Sequence, residues 1–230
     1  MSITTTALIR SAGVAAVGAG AIFIGVQIGH PHSDVTSVES TEWAVRNSLK
    51  VVMSALALVG ITGMYLRQVR QIGVLGLLGV LVLGAGYLMM VGTSFLSGFV
   101  LPSLADTAPG YVDDVLAAAT NGTPQGDIGL LQEYIQLQGF AYLGGGLLFG
   151  IALFRAGVLA RWASALLALG GVITVALAAM PDAFYRFLAF PNGIAMVALG
   201  YSLWSTARAQ AAPEPTTVAA PAPATTAGAE

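Results

Sequence analysis

Six long apolar runs separated by short polar stretches organise this chain. They lie near residues 11–29, 48–66, 72–96, 137–154, 162–180 and 184–205. Each approaches the roughly 20 residues that a helix rising about 1.5 Å per residue needs to cross a bilayer. Their apolar positions are continuous, which argues against the two-residue alternation of a membrane β-barrel. The pattern therefore predicts an all-α fold: an integral membrane bundle of about six transmembrane helices. Pro191-Asn192-Gly193 interrupts the sixth run. Proline removes one helical hydrogen bond, so this span is expected to be kinked, with a split span as the alternative.

The charges between the runs orient the bundle. Arg10 precedes the first run, Arg67 and Arg70 separate the second from the third, Arg155 and Arg161 separate the fourth from the fifth, and Arg208 follows the sixth. If all six cross, these arginines share one side. The other side receives Arg46, Lys50 and Arg186, together with Asp34, Glu39, Glu42, Asp106, Asp113, Asp114, Asp127, Glu133 and Asp182. Lys/Arg bias sets orientation, so a multi-pass protein of the plasma membrane with both termini cytoplasmic is expected. Trp43, Tyr65, Trp162 and Trp204 fall near predicted span ends, where amphipathic rings favour the interface. A cleaved secretory signal at the N-terminus is the lesser reading, because the apolar run is long and no small-x-small site ends it.

Between the spans, two outer loops carry structure of their own. In residues 30–47, Thr36-x-x-Glu39 matches a capping box, and Glu42, Arg46 and Lys50 follow at i, i+4 and i+8 on one stripe. Residues 97–136 exceed a simple connection; Tyr111–Ala119 reads as a short helix, and Asp127 as the cap of a helix running into the fourth span. This cap of short helices is expected to cover the outer mouth. Residues 209–230, rich in Ala, Pro and Thr, read as a disordered cytoplasmic tail.

Candidate chemistry gathers at the outer level. Glu39, Glu42, Arg46, Lys50, Glu133, Asp182, Arg186 and Asn192 form the candidate ligand-binding set. His30, His32 and Asp34 are the candidate metal ligands, imidazole and carboxylate being ordinary donors. No cofactor is expected, and a divalent metal is the only alternative. Glycine is abundant, with 29 residues. Gly25-x3-Gly29 and Gly146-x3-Gly150 have the small-residue spacing that lets helices approach, within the bundle or across a homodimer face.

Composition narrows the classes further. Charged residues make up 9% of the chain, against roughly 25% in soluble domains. There is no cysteine, which removes disulfide, thiolate and iron–sulfur chemistry. No basic cluster exists to follow a phosphate backbone, so nucleic acid is not an expected partner. No run holds Asp, Glu or His at its centre, where coupled carriers commonly place one, and transmembrane bis-His haem is likewise excluded. Nucleotide-binding, zinc-protease and serine-hydrolase motifs are missing.

Three segments, HPHSDVTS, VLPSLADTAPGYVDDV and MPDAFYRFLAFPNG, resemble a group of small polytopic membrane proteins of high-GC bacteria, over most of residues 7–208. That resemblance implies location and fold only. The expected function is a non-catalytic accessory or ligand-binding protein, contacting a lipid, a small amphiphile or a membrane protein partner through its outer face. A small transporter or channel is the first alternative, and would need Gln27, Thr62, Thr93, Ser94, Gln136 and Asn192 to face one another. An outward-facing metal-dependent enzyme is the second.

Overall fold

Each apolar run contributes a helix, and no strand occurs among the described residues. The computed structural model describes residues 4–29, 33–120, 122–178 and 189–210. Helix α1 (Thr5–Gly25) begins on Thr4, whose hydroxyl accepts the Ala7 N–H at 3.2 Å. Helix α2 (Val35–Val38) is a single turn. Its cap is Asp34 and not the expected Thr36/Glu39 box: Asp34 Oδ1 accepts from the Ser37 N–H and the Thr36 hydroxyl, each at 2.7 Å. The carboxylate satisfies an end N–H that the Thr36 hydroxyl, one residue inside the turn, is not placed to reach. Helix α3 (Thr41–Arg67) begins on Ser40, whose Oγ accepts the Trp43 N–H at 3.1 Å.

Helix α4 (Val69–Phe95) is interrupted near its start by Gly73, whose φ of 63° suits only glycine comfortably. It runs through a π-turn, Leu96–Val100, into the short α5 (Leu101–Leu104). A π-turn departs from the usual hydrogen-bond ladder, and here Trp43 Nε1 donates to the Ser97 carbonyl at 2.8 Å. Helix α6 (Pro109–Ala119) is the predicted short helix. Helix α7 (Leu131–Ala156) lacks the predicted Asp127 cap; that carboxylate accepts from Gly129 N–H at 2.8 Å, two residues before the helix starts. It holds an Asx turn instead. Helices α8 (Arg161–Ala178) and α9 (Ala189–Gln210) complete the fold. From Ala189 onward α9 runs unbroken through Pro191-Asn192-Gly193, so it is not split there.

Four stretches are long and apolar enough to cross a membrane: Thr5–Gly25, Thr41–Arg67, Val69–Leu104 and Leu131–Ala156. The described apolar part of α8, Arg161–Ile173, is shorter, and α9 has the length but is less apolar. Even so, the six long helices pack as one ring in the order α1, α3, α4, α7, α8, α9 and back to α1. Neighbours are antiparallel, as the pairing of Gly13 with Gly200 and Gly20 with Gly193 shows for α1 and α9. Gly79 against Phe149 and Gly86 against Tyr142 show the same for α4 and α7.

These close approaches rest on glycines two turns apart, not on the expected Gly25 and Gly29. Gly25 faces open space, and Gly29 sits in a turn with φ 65°. Gly150 does pack as expected, against Ala168, while Gly146 makes only a loose contact. The main core fills the ring with Met53, Ile61, Met64, Leu83, Phe149 and Met196 among others. A second, smaller core joins Val38, Trp43, Leu101, Val112, Leu116 and Ile128 where the short helices meet the start of α3. Trp43 is thus buried inside protein and does not belong to the predicted interfacial belt; Trp162 is 61% exposed.

Antiparallel alternation around the ring gathers Arg10, Arg67, Arg70, Arg155, Arg161 and Arg208 at one end. The short helices and the described carboxylates gather at the other.

Candidate functional site

At the acidic end the predicted stripe forms, and its first members serve the fold. Arg46 donates to Glu42 Oε1 from Nε at 2.9 Å and from Nη2 at 2.6 Å. Its Nη1 donates to the Val26 carbonyl at 2.7 Å and Nη2 also to the Gly29 carbonyl at 3.1 Å. Carbonyls at the end of α1 carry partial negative charge, and a guanidinium is well suited to cap them. Arg46 is therefore a strap between α1 and α3. Its side chain is 16% exposed, against 55% for Glu42. Lys50 lies one turn further along α3, half-buried.

The remaining predicted residues are spread out. Glu39 is exposed at the end of α2, and Glu133 is exposed in the first turn of α7, where a carboxylate suits the helix dipole. Asp34 is engaged in capping α2. His30, His32, Asp182 and Arg186 lie outside the described residues. Among the described residues no three His, Cys, Asp or Glu side chains come close enough to hold a metal.

Asn192 is the predicted residue whose surroundings stand out. It is 4% exposed, inside the ring, and its amide faces Tyr142 of α7. Tyr142 also faces Tyr87 of α4. The two tyrosine rings meet edge to face, centroids 5.4 Å apart at 85°. Phe23 of α1 meets Tyr142 in the same manner at 6.3 Å and 82°. Gly170 of α8 lines the cluster too: any side chain there would collide with the Asn192 amide. Five of the six ring helices thus converge on one polar knot, on the half of the ring nearer the acidic end.

Local packing explains why the knot forms. The absence of a side chain at Gly86 lets the Tyr142 backbone come close, a Cβ there lying 2.7 Å from Tyr142 N, which sets α7 against α4 at the level of Tyr87. Nearer the acidic end, Thr93 Oγ1 donates to Gln138 Oε1 at 2.8 Å and the Tyr134 hydroxyl donates to the Met89 carbonyl at 3.2 Å, continuing the same seam. Tyr87 is buried, whereas Tyr142 and Phe23 keep some accessible surface. Hydroxyl and amide groups in apolar surroundings are stabilised only when paired, so the knot fixes the register of α4, α7 and α9.

Tyr87, Tyr142 and Phe23 were not among the sequence-derived candidates. The available signal was a tyrosine in the middle of each of two apolar runs, since a hydroxyl at that depth requires a partner. The polar set needed by a transport path does not assemble. Thr62 and Gln136 are exposed on the outside of the bundle, Thr62 bonding its own helix at Leu58 O, while Thr93 serves the α4–α7 seam.

Comparison with protein-family models, curated proteins and solved structures finds no match to this chain.

Proposed function

We propose that this chain is a six-span plasma-membrane protein, termini cytoplasmic, that binds a lipid or small amphiphile from its outer side without catalysis. In this reading α8 and α9 cross the membrane with their four more apolar neighbours, as their antiparallel places in the ring support. The short-helix lobe lies outside and covers part of the outer mouth. The arginines face the cytoplasm, following the positive-inside bias.

One observation carries the binding assignment: Tyr142, only partly buried, lies within the ring beside Asn192 and Phe23. A hydroxyl and an amide can exchange hydrogen bonds with a carbonyl or hydroxyl of an amphiphile, and the aromatic edges accept its apolar part. The dispersal of the polar path residues makes transport the weaker reading.

Native mass spectrometry of the protein released from mild detergent tests the assignment. The wild type is expected to retain a lipid-sized adduct, and Tyr142→Phe and Asn192→Leu to lose it. A bare wild-type mass, or an adduct that survives both substitutions, would refute it. A purely structural knot would lower thermal stability in both variants and leave the retained mass unchanged.

A further inference from the structure

The opposite end of the ring carries a feature that the outer-side reading leaves unused. Of the arginines gathered there, two come from the first and last ring helices and meet on one indole. The guanidinium carbon of Arg10 lies 5.9 Å from the centre of the Trp204 ring, and that of Arg208 lies 5.4 Å from it. Gly13 makes the meeting possible. With no side chain there, α9 comes so close that an added Cβ would lie 2.9 Å from Trp204 N and 3.0 Å from Trp204 Cβ. Arg10 stands one turn before Gly13 on α1, and Arg208 one turn after Trp204 on α9. One backbone seam therefore delivers both cations to the same ring.

Both guanidiniums are open and unspent. Arg10 and Arg208 are exposed, and among the described residues neither donates a hydrogen bond or pairs with a carboxylate. Neither α1 nor α9 contains an Asp or Glu. A contact over an aromatic face holds a guanidinium by its charge and leaves N–H groups at its rim to donate elsewhere. Arg46 is in the opposite state, its donors committed to Glu42 and to two carbonyls. Arg161 rests 5.8 Å from the Phe154 ring, but no second arginine joins it there. Next to Trp204, Tyr201 is 62% exposed, its ring tilted 30° to the indole with centroids 6.0 Å apart. Aromatic rings of this kind favour the level of lipid headgroups.

We propose that Arg10, Trp204 and Arg208 form a binding site for the headgroup of an anionic phospholipid in the leaflet at this end. The two guanidiniums donate to phosphate oxygens, and Trp204 and Tyr201 lie against the glycerol region. Charge sets the preference. Two cations with no neighbouring carboxylate favour a lipid of net negative charge, whereas a choline headgroup brings its own cation against them. A free phosphate shares the first contact but has no apolar part to lay on the exposed tyrosine.

The test is native mass spectrometry of the full chain with added phosphatidylglycerol or phosphatidylcholine. The wild type is compared with Arg10→Gln/Arg208→Gln, with Arg67→Gln/Arg70→Gln and with Tyr142→Phe. The wild type is expected to retain phosphatidylglycerol in preference to phosphatidylcholine. Arg10→Gln/Arg208→Gln should weaken that retention at least roughly tenfold, the loss of hydrogen bonds to a charged group. Arg67→Gln/Arg70→Gln removes the same charge from the same end and should leave retention unchanged, as should Tyr142→Phe. Thermal unfolding in lipid-free detergent controls for folding; if the Arg10/Arg208 double variant does not fold, Arg208→Gln alone gives the reading. An equal loss in both double variants would overturn the proposal, because diffuse charge would then attract the lipid. A loss in Tyr142→Phe alone would overturn it too, by placing the retained lipid at the outer knot. Displacement of phosphatidylglycerol by millimolar inorganic phosphate would overturn the lipid assignment in favour of a free anion.

Discussion

Replacing Gly20 with alanine should destabilise the bundle, while the same change at Gly25, five residues along α1, should not. A Cβ at Gly20 would lie 2.5 Å from the Gly193 carbonyl oxygen and 2.9 Å from both the nitrogen and Cγ2 of Val197. Non-bonded carbon contacts are optimal at about 3.5–4.0 Å, so relief requires α1 and α9 to part by roughly 1 Å. Two of the three obstructing atoms are backbone and cannot rotate away. At Gly25 nothing lies within 4 Å of the added carbon. Helix propensity favours alanine by about 0.5–1 kcal/mol at interior Gly20 and by less at Gly25, the last helical residue, so it works against the expected difference. What remains is overpacking, about 1–3 kcal/mol. Unfolding in mixed micelles with increasing dodecyl sulfate, followed by tryptophan fluorescence, measures the difference. Equal midpoints for the two variants would refute the claim that the α1–α9 seam is in backbone contact at this point.

Two further outcomes follow from the strap and the loop. Arg46→Met removes the donors to Val26 and Gly29 and should cost about 1.5–3 kcal/mol; Arg46→Lys should recover only part, since an ammonium cannot fork to the same acceptors. Hydrogen exchange over residues 24–29 reads this directly, and unchanged protection in Arg46→Met would sink the strap assignment. Asp114 accepts from the Gln125 and Gly126 N–H groups at 2.6 and 3.0 Å, so Asp114→Ala should open the loop after α6 to limited proteolysis. Cleavage no faster than in the wild type would show that another contact closes it.

Much of the architecture was readable from the apolar runs and from the arginines between them, because both follow from the cost of placing charge in hydrocarbon. Helix ends were less readable. The second run was placed at 48–66, yet α3 begins at Thr41, because Ser40 caps it and Trp43 turns inward to Ser97. The Ser40 cap is local, but the Ser97 carbonyl that Trp43 reaches lies 54 residues further on. Glycine spacing misled for a similar reason: Gly25 and Gly29 match the usual motif, but contact was made by Gly13 and Gly20 against Gly200 and Gly193. Which stripe faces a neighbour depends on where that neighbour packs. The Tyr87–Tyr142–Asn192 knot was the least readable of all, since it depends on the register of three helices at once.

The same comparison changes where function should be sought. The outer charges that looked most like a binding set are in several cases committed to structure: Asp34 to capping α2, Arg46 to closing α1. A side chain whose hydrogen bonds are already spent on the backbone has little left to offer a ligand, and recruiting it would cost the contacts it leaves. Polar groups set in apolar surroundings are in the opposite position. Tyr142, which faces Asn192, is only partly buried, and the α3–α4 turn holds two atoms, Arg67 Nε and Gln68 Oε1, with no partner among the described residues. Amphiphiles, whose polar and apolar halves match such places, are therefore the ligand class to screen first.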